Sequence, residues 1–252
     1  MGIGNAIRSV DGLQTNPIRA VAFDAVGTLI YAMPSVSDIY CRLLRQLSGQ
    51  AVDAERVRSV LSQRFSERSM DVDLRTNEAC ERKFWFELVA ELVPERNRQP
   101  ACFDALYRHF AESAHWRCYD DVEACFASLR AQNLQIVMAS NFDERLHTVC
   151  AGLHELKSVS NCIVSSEVGW RKPALQFFDI VCQRTQCAPE EILFVGDDPL
   201  NDIQGAIAAG MSAAWIDRRG GPLGAVDATV PPPVSAVVLR VDSLQSLAHW
   251  LT

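Results

Sequence analysis

No apolar run in this chain is long enough to cross a membrane as a helix. Its first 17 residues, MGIGNAIRSVDGLQTNP, lack the apolar core of a secretory signal. Ala6 stands where an N-myristoylation signal needs Ser or Thr, so this stretch is expected to be a loose leader. The nine cysteines are odd in number and contain no Cys-x-x-Cys, which gives neither a zinc signature nor a disulfide framework. Scattered among apolar neighbours, they read as small hydrophobes and suit a reducing cytoplasm. A basic excess is also missing, with a net charge of −7 and a pI near 5.3. Non-specific nucleic-acid binding needs a basic face, so neither nucleic acid nor membrane is expected as a partner. A local pocket for a small anion is still compatible with that charge. Lysine is scarce, at positions 83, 157 and 172 only. There is no internal repeat or low-complexity tract. The sequence leaves the oligomeric state open.

What remains is ordinary globular material: 252 residues, 48% hydrophobic and 22% charged. That is enough for a sizeable core in one large domain or two modest ones. Residues 18–24 read as a buried strand, apolar and followed by a glycine turn. From about 33 to 115 the period is helical. In SDIYCRLLRQL, Ile39, Leu43, Leu44 and Leu47 form one stripe, with Ser37 or Asp38 as N-cap. Further helices are expected in NEACERKFWFELVAEL and CFDALYRHFAESA. After Trp116, strands and helices alternate: a helix in DVEACFASLRAQN, a strand at 134–139, and a helix capped by Asp143. Then come a strand in SNCIVSSEVG, a helix with Pro173 in its first turn, and a strand ending at Asp197. A helix closed by Gly210, a strand in SAAWID, a Gly- and Pro-rich loop and a last helix complete the chain. The fold class expected is α/β, a Rossmann-like parallel sheet covered by helices on both faces, with an inserted all-helical module.

Three of these strands end on polar residues: Asp24, Ser140 and Asp197. In a parallel sheet all carboxyl ends share one edge, and ligands bind in the crevice there. Lys172 precedes a helix leading back into the sheet. Two carboxylates, a hydroxyl and an ammonium on one edge suit a divalent cation with a phosphate.

At this point FDAVGTL, VMASN, GWRKP and FVGDDPLNDIQGAIAAGM, taken in order over residues 18–217, resemble the four motifs of the haloacid dehalogenase-like (HAD) hydrolase superfamily. The resemblance implies an α/β core domain of residues 1–32 and 116–252 and a helical cap domain of 33–115. It implies a Mg²⁺-dependent phosphatase acting on a small phosphorylated or other anionic substrate. Asp24 matches the nucleophile that forms an aspartyl-phosphate. Thr28 matches a threonine that braces the turn by hydrogen bonding. Ser140 matches the hydroxyl that holds a phosphoryl oxygen, with Asn141 beside it either binding or only orienting the loop. Lys172 matches the lysine that neutralises nucleophile and phosphoryl group. Asp197 matches a direct Mg²⁺ ligand and Asp202 a direct or water-bridged one, while Asp198 faces either the site or water. Arg171 is expected at the surface.

Val26 departs from the pattern. Many HAD phosphatases have Asp two residues after the nucleophile, giving a proton to the leaving alkoxide and later activating water. Val26 offers only a backbone carbonyl, which suffices as a Mg²⁺ ligand. General acid–base catalysis is worth about 10²–10⁴-fold. Three readings follow. The protein is a phosphatase that prefers good leaving groups or borrows an acid from the cap, with His109, His115 and Asp38 as donors by chemistry. Alternatively it performs other HAD chemistry. The 2-haloacid dehalogenases also lack that acid but typically lack the metal acids as well, and phosphonoacetaldehyde hydrolases need a cap lysine, for which Lys83 is the one candidate. In the third reading it is a catalytically weak binding or regulatory protein. Trp85 and Phe86 read as cap core in preference to a contact surface.

Overall fold

The computed structural model describes residues 17–49, 51–218 and 238–251. The loop 220–234 and all but the last residue of the expected leader lie outside the described residues. The chain opens with β1 (Ala20–Phe23), every residue of it buried, and β2 (Ile30–Ala32). Four helices follow: α1 (Val36–Ser48), α2 (Ala54–Ser69), α3 (Glu78–Leu92) and α4 (Gln99–His109). Next come β3 (Trp116–Cys118), α5 (Val122–Ala131), β4 (Gln135–Ser140), α6 (Arg145–Ala151), β5 (Asn161–Val164) and α7 (Ser165–Val168). The remainder is α8 (Leu175–Thr185), β6 (Ile192–Gly196), α9 (Gly205–Ala208), β7 (Ser212–Ile216), β8 (Val238–Val241) and α10 (Leu244–Trp250).

Six strands make one parallel sheet in the order β5-β4-β1-β6-β7-β8. Strand residues alternate between its faces, as the pleat requires. Val21 and Phe23 of β1 join a core that includes Phe126, Leu129 and Leu146. Ala20 and Ala22 face Phe177, Phe178 and Val181 of α8 in a second core. Each fully buried side chain such as Phe23 contributes roughly 1.5–3 kcal/mol of transfer free energy. Helices therefore cover both faces. β2 and β3 pair antiparallel at the foot of the helical insert. Among the described residues no helix is long and apolar enough to span a membrane.

Several local expectations are corrected. The N-cap of α1 is Ser35, whose hydroxyl accepts from Asp38 N at 3.2 Å; Ser37 and Asp38 are already helical. Pro173 precedes α8 instead of sitting in its first turn, because Ala174 is still extended at ψ 131°. The helix expected from residue 142 is short, ending at Ala151 ahead of Gly152, and a 3₁₀ turn, His154–Ser158, follows. The helix toward Gly210 begins as a widened turn, Pro199–Gln204, before α9.

Candidate active site

β1 lies between β4 and β6, with Phe23 paired to Met138 on one side and Val195 on the other. This register sets Asp24, Ser140 and Asp197 side by side at the carboxyl ends of the three strands. Asp24 is 8% exposed. Its Oδ1 accepts from Ser140 Oγ at 2.8 Å and from Lys172 Nζ at 2.6 Å. Among the described residues its Oδ2 has no hydrogen-bond donor. Lys172, 2% exposed, spends its other two protons on Asp202 Oδ1 at 2.6 Å and the Ala139 carbonyl at 3.0 Å. A buried ammonium with three acceptors has no spare donor. Asp202 Oδ2 accepts from the Asp198 N–H at 3.1 Å.

The charges do not balance: three carboxylates surround one ammonium. Burial pushes Asp202 up to about 8 and Asp197 up to about 7, the neighbouring Asp24 adding to the rise and Lys172 opposing it. Burial alone lowers a lysine, but the Asp202 and Asp24 carboxylates outweigh it and hold Lys172 charged, above its usual value. Carboxylate oxygens of Asp24, Asp197 and Asp202 all lie within 4.8 Å of one another. Among the described residues no other residue donates a hydrogen bond to the Asp197 carboxylate; the Trp215 indole bonds only its backbone carbonyl. Hard oxygens, excess negative charge and an unengaged carboxylate fit a divalent cation such as Mg²⁺. Two glycines make the approach feasible. A Cβ on Gly27, which has φ +91°, would collide with the Asp197 carboxylate, and one on Gly196 with that of Asp202.

The other expected site residues sit differently. Asn141 spends both ends of its amide on the Lys172 backbone, Nδ2 to the carbonyl at 3.0 Å and Oδ1 from the N–H at 2.8 Å. These two bonds tie it to the lysine loop at the edge of the cavity. Among the described residues the buried Thr28 hydroxyl has no hydrogen-bond partner. The brace acts on the Thr28 carbonyl, which accepts from Arg218 Nη2 at 2.7 Å and Nε at 3.1 Å. Arg218 is itself paired with Asp121. Asp198 caps the turn that follows it, accepting from Leu200 N and Asn201 N.

Arg171 is buried, not at the surface. It donates to the Arg68 carbonyl at 3.1 Å and to Asp71 Oδ2 at 3.0 Å, tying the lysine loop to the segment after α2. The proposed proton donors do not line the cavity above Asp24. His109 and His115 stack on each other with ring centroids 3.6 Å apart. Asp38 bonds Ser35, and Lys83 is exposed and paired with Glu87.

That cavity measures 460 Å³ and extends from Asp24, Val26, Ser140, Lys172 and Asp197 up between the helices. Val26, 38% exposed, presents an apolar side chain beside the nucleophile position. Trp85 packs against the core and also faces the cavity, while Phe86, packed against the same core, stacks on Phe103. Arg145, buried, is held by both oxygens of Asp143 and lies 3.7 Å over the Tyr107 ring. Sequence reasoning missed Arg145 and Arg218 and misplaced Arg171: the partners of Arg171 and Arg218 lie about 100 positions away, and Arg145, although paired with nearby Asp143, packs over Tyr107 of the helical insert.

A family model for haloacid dehalogenase-like hydrolases matches residues 18–210. The chain belongs to that family. The phosphoglycolate phosphatase of Chromobacterium violaceum is 30% identical over 199 residues, covering 78% of this chain and 83% of that protein. Human haloacid dehalogenase-like hydrolase domain-containing protein 3 is 27% identical over 175 residues, covering 68% of this chain and 66% of that one. A HAD hydrolase from Bacillus subtilis solved with bound magnesium shares the fold, with a TM-score of 0.72 at 16% identity, covering 94% of this chain and 99% of that chain. This HAD chain is therefore a hydrolase.

Proposed function

We propose that this HAD hydrolase is a Mg²⁺-dependent phosphatase for a small phosphorylated metabolite, with Asp24 as nucleophile and residues 33–115 as a cap over the site. The observation that carries the reading is the cluster of Asp24, Asp197 and Asp202 around Lys172 on the cavity floor. Lys172 and Ser140 both hold Asp24 Oδ1, leaving Oδ2 to attack phosphorus. Splitting the displacement through an aspartyl-phosphate replaces one difficult step by two easier ones. Lys172, kept charged by its neighbours, stabilises negative charge on the transferring group. The Ser140 hydroxyl lines the cavity floor and would have to turn its one proton away from Asp24 Oδ1 to bind a phosphoryl oxygen.

Asp24, Asp197 and the Val26 carbonyl are the groups that would hold Mg²⁺. When bound, the ion supplies charge neutralisation for the phosphoryl oxygens. Asp202 acts through Lys172, since both its oxygens already accept hydrogen bonds. Asn141 is a positioning residue for the lysine loop.

The test is hydrolysis of p-nitrophenyl phosphate by the full chain. Turnover that depends on Mg²⁺ and is lost in EDTA and in Asp24→Asn supports the reading. Chloroacetate turnover that persists in EDTA overturns it in favour of dehalogenation.

A further inference from the structure

We propose that the substrate of this site is an aryl phosphate, the monoester of an uncharged phenolic alcohol. The inference rests on the phosphatase reading above and goes on to name the leaving group.

The first observation is the wall. Beyond the acidic floor, the cavity is faced by rings, among them Phe65, Trp85, Phe103 and Phe142. Phe65 and Trp85 meet edge to face with centroids 5.7 Å apart. Such walls favour a flat apolar group, through area removed from water and through ring-to-ring geometry. A cavity of 460 Å³ is of small-ligand size.

The second observation is that, among the described residues, the cavity holds no spare cation for a second acidic group. Each of the three arginines lining the cavity already faces a carboxylate: Arg68 with Glu81, Arg145 with Asp143, Arg171 with Asp71. A substrate with a carboxylate of its own would bring an unpaired charge into an apolar enclosure, which is costly.

The third observation concerns the proton. Val26 stands where an acid would protonate the departing oxygen, and the histidines lie away from the cavity. The cavity hydroxyls of Tyr40 and Tyr107 hold their protons more tightly than a free phenol, because burial disfavours the phenolate. They are poor acids. A phenolate needs little help to leave, with a conjugate-acid pKa of about 10 against roughly 15.7 for water, near the range of simple alkanols.

The chemistry balances without a donor. A lone pair of Asp24 Oδ2 forms the bond to phosphorus while the phosphorus–aryl oxygen bond breaks and its electrons leave as phenolate. Water then attacks phosphorus, releases phosphate and restores the Asp24 carboxylate. The proton lost by that water balances the one taken up by the phenolate, so the sum is ester plus water to phenol plus phosphate.

The experiment compares kcat/KM of the Mg²⁺-loaded full chain for 1-naphthyl phosphate, 2-phosphoglycolate and acetyl phosphate. Acetyl phosphate is small and has a good leaving group, so it reports phosphoryl transfer without the wall. The naphthyl ester is expected to exceed phosphoglycolate by at least about 100-fold, within the range that one pocket contact and one unpaired polar group set. Trp85→Ala is expected to lower the naphthyl value at least about fivefold more than the acetyl phosphate value. Trp85→Phe, which keeps a ring there, recovers most of that difference and guards against a misfolded alanine variant. As a readout without turnover, phenylphosphonate is expected to inhibit at least about tenfold more tightly than phosphonoacetate.

Acetyl phosphate turnover combined with equal or better use of phosphoglycolate overturns the aryl assignment and leaves the phosphatase reading standing. An equal effect of Trp85→Ala on 1-naphthyl phosphate and acetyl phosphate does the same. No turnover of any of the three overturns the phosphatase reading and the aryl assignment together.

Discussion

Lys172 Nζ lies 2.6 Å from Asp24 Oδ1, joining residues 148 positions apart in the chain. It lies equally close, 2.6 Å, to Asp202 Oδ1. One buried ammonium thus connects the nucleophile position to the acid behind it. Removing that charge leaves carboxylates facing one another in a low-dielectric pocket. Lys172→Met is expected to lower kcat by about 10²–10³-fold, the scale for losing one electrostatic donor at a reacting group. It is also expected to destabilise the metal-free protein by roughly 3–5 kcal/mol, as breaking a buried pair does. Steady-state kinetics and thermal melts in EDTA check both. A kcat within about threefold of the parent contradicts the role given to Lys172.

Metal and pH should be linked, and the sign follows from the acids. Asp197 at about 7 and Asp202 at about 8 hold protons more tightly in the fold than in the unfolded chain. The unfolded chain releases those protons near pH 4, while the fold keeps them to higher pH. Their contribution to stability therefore falls as pH rises from the ordinary carboxylate range through about 8. A divalent cation needs the carboxylates ionised, competes with those protons and relieves the repulsion. The gain in Tm from millimolar Mg²⁺ should be larger at about pH 8 than at about pH 6, read by calorimetry. A gain that is equal or larger at the lower pH contradicts a cation held by Asp24 and Asp197 beside Asp202.

Val26→Asp tests what the apolar residue beside the nucleophile leaves out. An acid there can protonate an alkoxide, which a phenolate barely needs. The substitution should raise the rate on an alkyl phosphate at least about tenfold more than on an aryl phosphate, within the range of general acid catalysis. Melting curves establish that the variant is folded. An equal change on both esters contradicts the account of Val26.

How far the sequence could be read depended on how local each cause is. β1 was legible because an apolar run closing on Asp24 and a glycine turn are contiguous. α8 was legible because Phe177, Phe178 and Val181 fall on one helical face. α2 escaped notice: in AERVRSVLSQRFSERS only Val57 and Val60 are buried, so no apolar stripe announces it. β2 and β3 are three residues each, too short to show a period. β8 follows a Gly- and Pro-rich stretch, and its pairing to β7 depends on the sheet already existing. At the site, Asp24, Ser140, Lys172, Asp197 and Asp202 could be proposed because motifs end strands or begin helices. The burial of Arg171 could not, since its partners at Arg68 and Asp71 come from the helical insert about 100 positions earlier. Nor could the use of Asn141 on the Lys172 backbone, which arises only once the two loops meet.

The most direct measurement of the central claim is mass spectrometry of the chain quenched in acid during turnover of an aryl phosphate with Mg²⁺. The account predicts one added phosphoryl group, located by peptide mapping to Asp24, and absent in Asp24→Asn and in EDTA. Turnover with Asp24 unmodified under rapid quench, or a phosphoryl group mapped to another residue, would contradict it.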